Sequence, residues 1–338
     1  MLNTSTRLPM RTLCLLLFAF CSIVDIEERA NKGMINSERI HIGVSGWQRS
    51  DWDDSVFAGP SRRQHRIDRL LPYVEVLEIQ QTSDTPLKPE IARLYMKKAA
   101  SNPRLRLTAV LGHRFTQDRD LWPGAVEAWK AGLLPLQREG CLAALMLEFP
   151  WAFRFNRENR DFLIELRRNF HEFRLAGEFL HESWLSEEAL AILAKYRISF
   201  VNVDQPAYFR GLPPASVLTT STGLVRLHGR SSPDAYREFG RRASARPYLY
   251  SLDELEEWMP RLSRLAAAAK ECLVVFTNSQ DGASLVNSLQ LGEILGRDPL
   301  RAPGPLIRNY PAELAAFHAP RPVQMDLLAP AFETYKAA

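Results

Sequence analysis

The chain lacks most of the signatures that announce a function. Its 338 residues hold four cysteines, at positions 14, 21, 141 and 272. None stands in a Cys-x-x-Cys pair or another zinc spacing. This excludes a disulfide framework and a structural zinc site, and it fits a reducing compartment. There is no His-Glu-x-x-His, no Gly-x-Ser-x-Gly elbow and no Walker A loop, and the first apolar strand is not followed by Gly-x-Gly-x-x-Gly. These absences argue against a zincin, a nucleophile-elbow serine hydrolase, a P-loop NTPase and a dinucleotide cofactor. Charge of one sign is also scarce: the formal net charge is +4, far from the footprint of a dedicated nucleic-acid binder. With 17 glycines and 22 prolines, the chain is neither collagen-like nor of low complexity. The apolar run from Leu13 to Val24 is too short to span a bilayer easily, and no repeat stands out.

That run belongs to a leader, residues 1–33, which is set apart from the fold. Arg7 and Arg11 precede it, and Asp25, Glu27 and Glu28 follow. Two readings stand. It is the h-region of a secretory signal or anchor, or translation starts at Met34 and the protein is cytoplasmic.

What is present is alternation. Short apolar runs each end in a polar or glycine residue: 40–44, 74–77, 105–111, 142–147, 174–177, 198–203, 224–227 and 273–276. Runs of this kind suit strands buried on both faces, as in a parallel sheet. Helical stripes lie between them, such as Val126, Trp129 and Leu133, or Phe162, Leu163, Leu166 and Phe170. Ser186 is placed as an N-cap, and Ser251 to Glu254 reads as a capping box opening a helix that runs to about Lys270. Eight strand–helix units, at about 33 residues each, define a single-domain TIM-type (β/α)8 barrel over 39–297, near the roughly 250 residues usual for that fold. The sixth unit is degenerate, because Pro206, Pro213 and Pro214 stand where its helix belongs. Residues 298–338 form a Pro-rich C-terminal extension, either an arm packed on the barrel or a partly mobile segment.

Active sites of such barrels lie at the strand C-termini. There the sequence places Trp47, Glu78, His113, Glu148, Glu178, Asp204, Arg226, His228 and Asn278. Crowded carboxylates raise one another's pKa or take up a cation. Any single one can equally cap the next helix. The segment 222–247 carries Arg226, Arg230, Arg237, Arg241, Arg242 and Arg246. With the helix start after Gly282, it suggests an anionic ligand. Trp151, Phe153 and Phe155 read as loop anchors.

The motifs Gly43-Val44-Ser45-Gly46-Trp47, Glu178-Phe179-x-His181-x-Ser183-Trp184, Arg226-Leu227-His228-Gly229-Arg230 and Phe276-x-Asn278 with Asn287 resemble the YecE-like family (domain of unknown function 72). They run in the family's order over about residues 40–296. The resemblance implies a TIM-type barrel, usually cytosolic, of unestablished activity. It carries over to Trp47, Glu78, Glu178, His181, Asp204, Arg226, His228, Asn278 and Asn287. The chain departs from the family at Val110 (lysine), Gln117 (histidine), Glu148 (glutamine) and Leu180 (arginine), and after Glu78-Ile79.

The resulting expectation is an enzyme of hydrolase or lyase type acting on a phosphorylated or other small anionic substrate. Glu178 is the general base and His228 its acid–base partner, with Glu78 and Asp204 orienting groups. Arg226, Arg230 and Asn278 hold the anion, and Trp47, His181 and Asn287 complete the substrate site. If a divalent cation assists, Glu178, Asp204 and His228 are its ligands. The alternatives are a non-catalytic barrel binding nucleic acid or a protein partner, and a retaining glycoside hydrolase using Glu148 and Glu178.

Overall fold

The computed structural model of the chain describes residues 36–57, 65–207, 210–231 and 248–320. The leader, the stretch 232–247 with Arg237, Arg241, Arg242 and Arg246, and residues 321–338 of the arm lie outside the described residues.

Eight parallel strands close on themselves in chain order: β1 (Ile40–Ser45), β2 (Val76–Ile79), β3 (Arg106–Val110), β4 (Leu142–Glu148), β5 (Leu175–Glu178), β6 (Ser199–Asp204), β7 (Thr222–Leu227) and β8 (Glu271–Phe276). The β8 strand pairs with β1, with Ile42 opposite Val274, so no edge is left open. All eight expected strands are present. Their near-continuous apolar character has the expected cause, since they are buried both inside the barrel and beneath the helices.

The helices are α1 (Trp52–Ser55), α2 (Arg66–Leu70), α3 (Pro89–Ala100), α4 (His113–Thr116), α5 (Pro123–Arg138), α6 (Arg157–Asn169), α7 (Glu187–Lys195), α8 (Leu252–Glu256), α9 (Met259–Ala268), α10 (Ala283–Ile294) and α11 (Gly304–Asn309). The long ones turn their apolar stripes onto the strands: Val126, Trp129 and Leu133 of α5 are buried, as are Phe162, Leu163 and Leu166 of α6. The Ser186 hydroxyl accepts from Ala189 N and starts α7. The capping box at Ser251 and Glu254 forms in both directions. The single helix expected from Ser251 to about Lys270 is two helices. Pro260 sits in the first turn of α9. It has no N–H to continue the ladder from α8, so the chain breaks at Glu257–Trp258.

Among the described residues no helix fills the sixth unit between Asp204 and Thr222. An irregular segment is fastened to β6 instead. Asn202 donates to Val217 O at 3.0 Å and accepts from Val217 N at 2.7 Å, and the Thr219 hydroxyl accepts from Phe200 N at 2.9 Å. Side chains thus satisfy backbone groups that a helix would have satisfied itself. The described part of the arm is packed. Leu306 of α11 is fully buried, and Asn309 donates to Ser55 O in α1. No helix among the described residues is long and apolar enough to cross a membrane.

One close approach on the inner face of the barrel constrains the sequence. A Cβ on Gly43 of β1 would fall 1.8 Å from the Val76 carbonyl oxygen of β2, so only glycine fits. The expected result of Gly43→Ala is a loss of about 3 kcal/mol or more, at or beyond the top of the usual range for overpacking. Denaturant unfolding measures it, and an unchanged midpoint would contradict this closure of the barrel.

Candidate active site

Side chains alternate in and out along a strand. On β7, Val225 and Leu227 face outward and pack with Tyr250, Trp258 and Leu262. Arg226 therefore points into the barrel, where it is 3% exposed. Its guanidinium gathers three carboxylates. Nη2 donates to Glu78 Oε1 at 2.7 Å and lies 2.8 Å from Glu148 Oε1, and Nη1 donates to Glu178 Oε2 at 2.5 Å. Glu148 and Glu178 are register partners on β4 and β5, so both reach the same guanidinium.

Each of these two glutamates also meets a histidine. His113, at the start of α4, places Nε2 at 3.1 Å from Glu148 Oε2. His228, just past β7, places Nε2 at 3.3 Å from Glu178 Oε2, an ionic contact without hydrogen-bond alignment. Its Nδ1 lies 2.8 Å from the Thr277 hydroxyl. The result is one continuous row of side chains, His113–Glu148–Arg226–Glu178–His228, across this end of the barrel.

Electrostatics separates these groups. Burial alone would raise every carboxyl here. For Glu178, Arg226 and His228 outweigh it and hold the group down at about 2. Glu148 is also lowered, because Arg226 and the hydrogen bond from His113 overcome its burial. Glu78 goes the other way. It has no exposed surface, and burial wins over Arg226, with Glu148 adding repulsion. His113 is raised, chiefly by its hydrogen bond to Glu148. Arg226 stays charged: burial opposes it, but the three glutamates prevail.

The other expected site residues are engaged elsewhere. Asn202 faces the outside of β6, and Asp204, two residues on, shares that face. It accepts Nε and Nη2 of Arg230 at 2.9 and 2.8 Å, and Trp258 Nε1 at 2.5 Å. Glu178, Asp204 and His228 are therefore not brought to one point. Among the described residues no group of three or more His, Cys, Asp or Glu side chains is arranged to hold a metal ion. Arg226 and Arg230, expected to hold an anion, are each committed to carboxylates. Asn287 uses all four hydrogen bonds of its amide inside the fold, to Tyr250 N and O, Asn278 and Gln290. Asn278 spends both N–H groups on Tyr248 O and Asn287 and keeps an unpartnered Oδ1. Trp47 is buried beside a cavity of about 20 Å³ shared with Glu78 and Gln80, and its Nε1 has no partner.

Such unmet groups cluster at this end of the barrel. Among the described residues, twelve buried side-chain nitrogen and oxygen atoms have no hydrogen-bond partner. Seven, on Trp47, Trp151, His181, Gln205, Arg226, His228 and Asn278, lie within three residues of a strand C-terminus. Buried polar groups are normally satisfied, and here most of the exceptions among the described residues gather at the C-terminal end of the barrel. Sequence reasoning placed His113 and Glu148 at strand ends without pairing them, and it did not single out Thr277. Glu148, which His113 meets, is held by a guanidinium from a strand far along the chain.

Fold and site together define a TIM-type barrel protein with an arginine-centred acidic mouth. The chain belongs to the family described as protein of unknown function DUF72, whose model matches residues 41–309. It is 24% identical over 275 residues to the UPF0759 protein YunF of Bacillus subtilis (strain 168), covering 76% of this chain and 94% of that protein. A DUF72 family protein of Thermotoga maritima is 26% identical and superposes with a TM-score of 0.63, over 76% of this chain and 99% of that one. One from Enterococcus faecalis has the same fold, at 18% identity and a TM-score of 0.64, over 77% and 98%.

The charge arrangement has a consequence for stability. Glu178, depressed from 4.5 to about 2, stabilises the fold above the ordinary carboxyl range, and this is lost as pH falls through about 2. In Arg226→Met the sign reverses. Buried carboxylates without their cation rise, and the variant gains stability as they protonate. At pH 7.5 the expected deficit is about 3–5 kcal/mol, shrinking towards pH 5. Thermal melts across that range check it, and a deficit independent of pH would refute the assignment.

Proposed function

We propose that the chain is an acid–base enzyme, hydrolytic or eliminating, working at the C-terminal mouth of its barrel. One observation carries this reading: two histidines each meet a glutamate, and both glutamates are fixed on one buried guanidinium. Sites whose proton affinities are pushed apart divide naturally into acid and base. His113 is the acid. Its Nε2 is held by Glu148, its Nδ1 has no partner among the described residues, and it is the most exposed of the cluster, at 35%. Glu148 favours its charged form, the form that protonates a leaving group.

Glu178, the base expected from sequence, is too weakly basic at about 2 to accept a proton near neutrality. In this reading the Thr277 hydroxyl, which donates to Leu227 O, accepts Nδ1–H of His228. The Nε2 lone pair, which makes no hydrogen bond, takes the proton from water or from the substrate, with Glu178 stabilising the charge that forms. Arg226 already supplies the positive charge that crowded carboxylates require, so no step is routed through a metal. A retaining glycosidase needs one of its two carboxyls raised as an acid. Glu148 and Glu178 are both held down, which disfavours that alternative.

A panel of nitrophenyl esters, phosphoesters and glycosides tests the hydrolytic form. Turnover of one class is expected to fall by about 10²–10⁴-fold in His113→Gln, within the usual range for a lost acid–base group, with folding intact. Glu148→Gln is expected to shift the alkaline limb of the rate profile to lower pH, because His113 loses the partner that raises it. A profile unmoved by either change would sink the assignment of His113.

A further inference from the structure

Two donors without acceptors stand in the loops that follow the register-paired Glu148 and Glu178. Trp151 lies three residues past Glu148, and His181 three residues past Glu178, with their ring centroids 5.3 Å apart. The His181 tautomer follows from its neighbours. Nδ1 accepts from Ser183 N at 3.1 Å and lies 2.9 Å from Ser183 Oγ. That hydroxyl oxygen already accepts from Phe155 N, so its proton is free to point at Nδ1. In the neutral ring the hydrogen is therefore on Nε2. Burial, then Arg154 and Arg210, lower the proton affinity of this ring, which agrees with its being neutral.

His181 is 1% exposed, yet Nε2 finds no acceptor, and neither does Trp151 Nε1. A buried donor left without an acceptor is costly. Next to them stands a spare positive charge. The Arg154 guanidinium lies over the Trp151 ring, 4.8 Å from its centroid, and makes no ion pair among the described residues. Arg210, by contrast, is taken by Glu182. In the same two loops Phe153, Phe179 and Trp184 stack on one another, and Trp184 Nε1 donates to Phe153 O at 2.7 Å, so the loops are tied together.

We propose that Trp151, His181 and Arg154 form an oxyanion subsite that receives a phosphoryl or carboxylate group of the substrate. Two neutral N–H donors and one unpaired guanidinium suit an acceptor that carries negative charge. The inference rests on the acid–base reading of the mouth and supplies its substrate class. The anion is held here, while Arg226 and Arg230 stay committed to carboxylates.

The test uses the full chain, titrated with inorganic phosphate and separately with acetate. The indole Nε1–H resonance of Trp151, assigned by its loss in Trp151→Phe, is followed by NMR, and affinity is measured by calorimetry. Saturable binding that shifts this resonance is expected. Trp151→Phe, which keeps a ring, and Arg154→Gln, at an exposed position, should each weaken binding on the order of tenfold or more, and His113→Gln should not. Tighter binding of phosphate than of acetate identifies a phosphoryl group, and the reverse a carboxylate. Failure of both anions to move the resonance would overturn the subsite, as would equal affinity in the wild type and both variants. Either outcome leaves the acid–base reading to its own test. Conversely, turnover unaffected by His113→Gln removes that reading without changing the titration.

Discussion

A guanidinium taken out of water must be answered by negative charge, and the upper half of this barrel is arranged around that requirement. Arg226 enters the interior from β7 and is met by Glu78, Glu148 and Glu178 from β2, β4 and β5. Desolvating four ionic groups is expensive, and such a cluster is weak evidence of net stabilisation. What it secures is position. Each carboxylate is held against one planar fork, and the two that reach the rim hold histidines in turn.

The rest of the fold keeps that cluster in place. The glycine at 43 lets β1 approach β2, and the irregular sixth unit is fastened to β6 through Asn202. Asp204, Arg230 and Trp258 tie the end of β6 to the loop after β7 and to the helical layer. Asn278 and Asn287 anchor the 248–250 segment. Residues that read along the chain as ligand contacts thus brace the strand ends against the surrounding elements.

Much of this was legible beforehand. Eight apolar runs ending in polar residues describe a closed parallel barrel, because strands buried on both faces must be apolar until they emerge. Pro206, Pro213 and Pro214 marked the missing helix through their fixed φ and absent N–H. Ser186 and Ser251 marked helix starts through their hydroxyls. The convergence of Glu78, Glu178, Arg226 and His228 followed from strand-end position alone. The break at Pro260 was visible in principle, but it was hidden by an apolar stripe that continues across it.

Asp204 shows where such reading stops. Its place at a strand end was correct, yet it faces the helical layer while Glu178 faces the interior. Strand parity depends on which residues the neighbouring elements bury, and a shift of one residue reverses it. The sequence by itself determined the barrel, the end of it at which charged residues gather and most of the residues found there, since these follow from periodicity and composition. Only the tertiary structure decided which carboxylates share Arg226, which histidine each of them holds and which donors are left over. Those outcomes depend on register and on distances between strands far apart in the chain, and hydropathy along a chain carries no information about either.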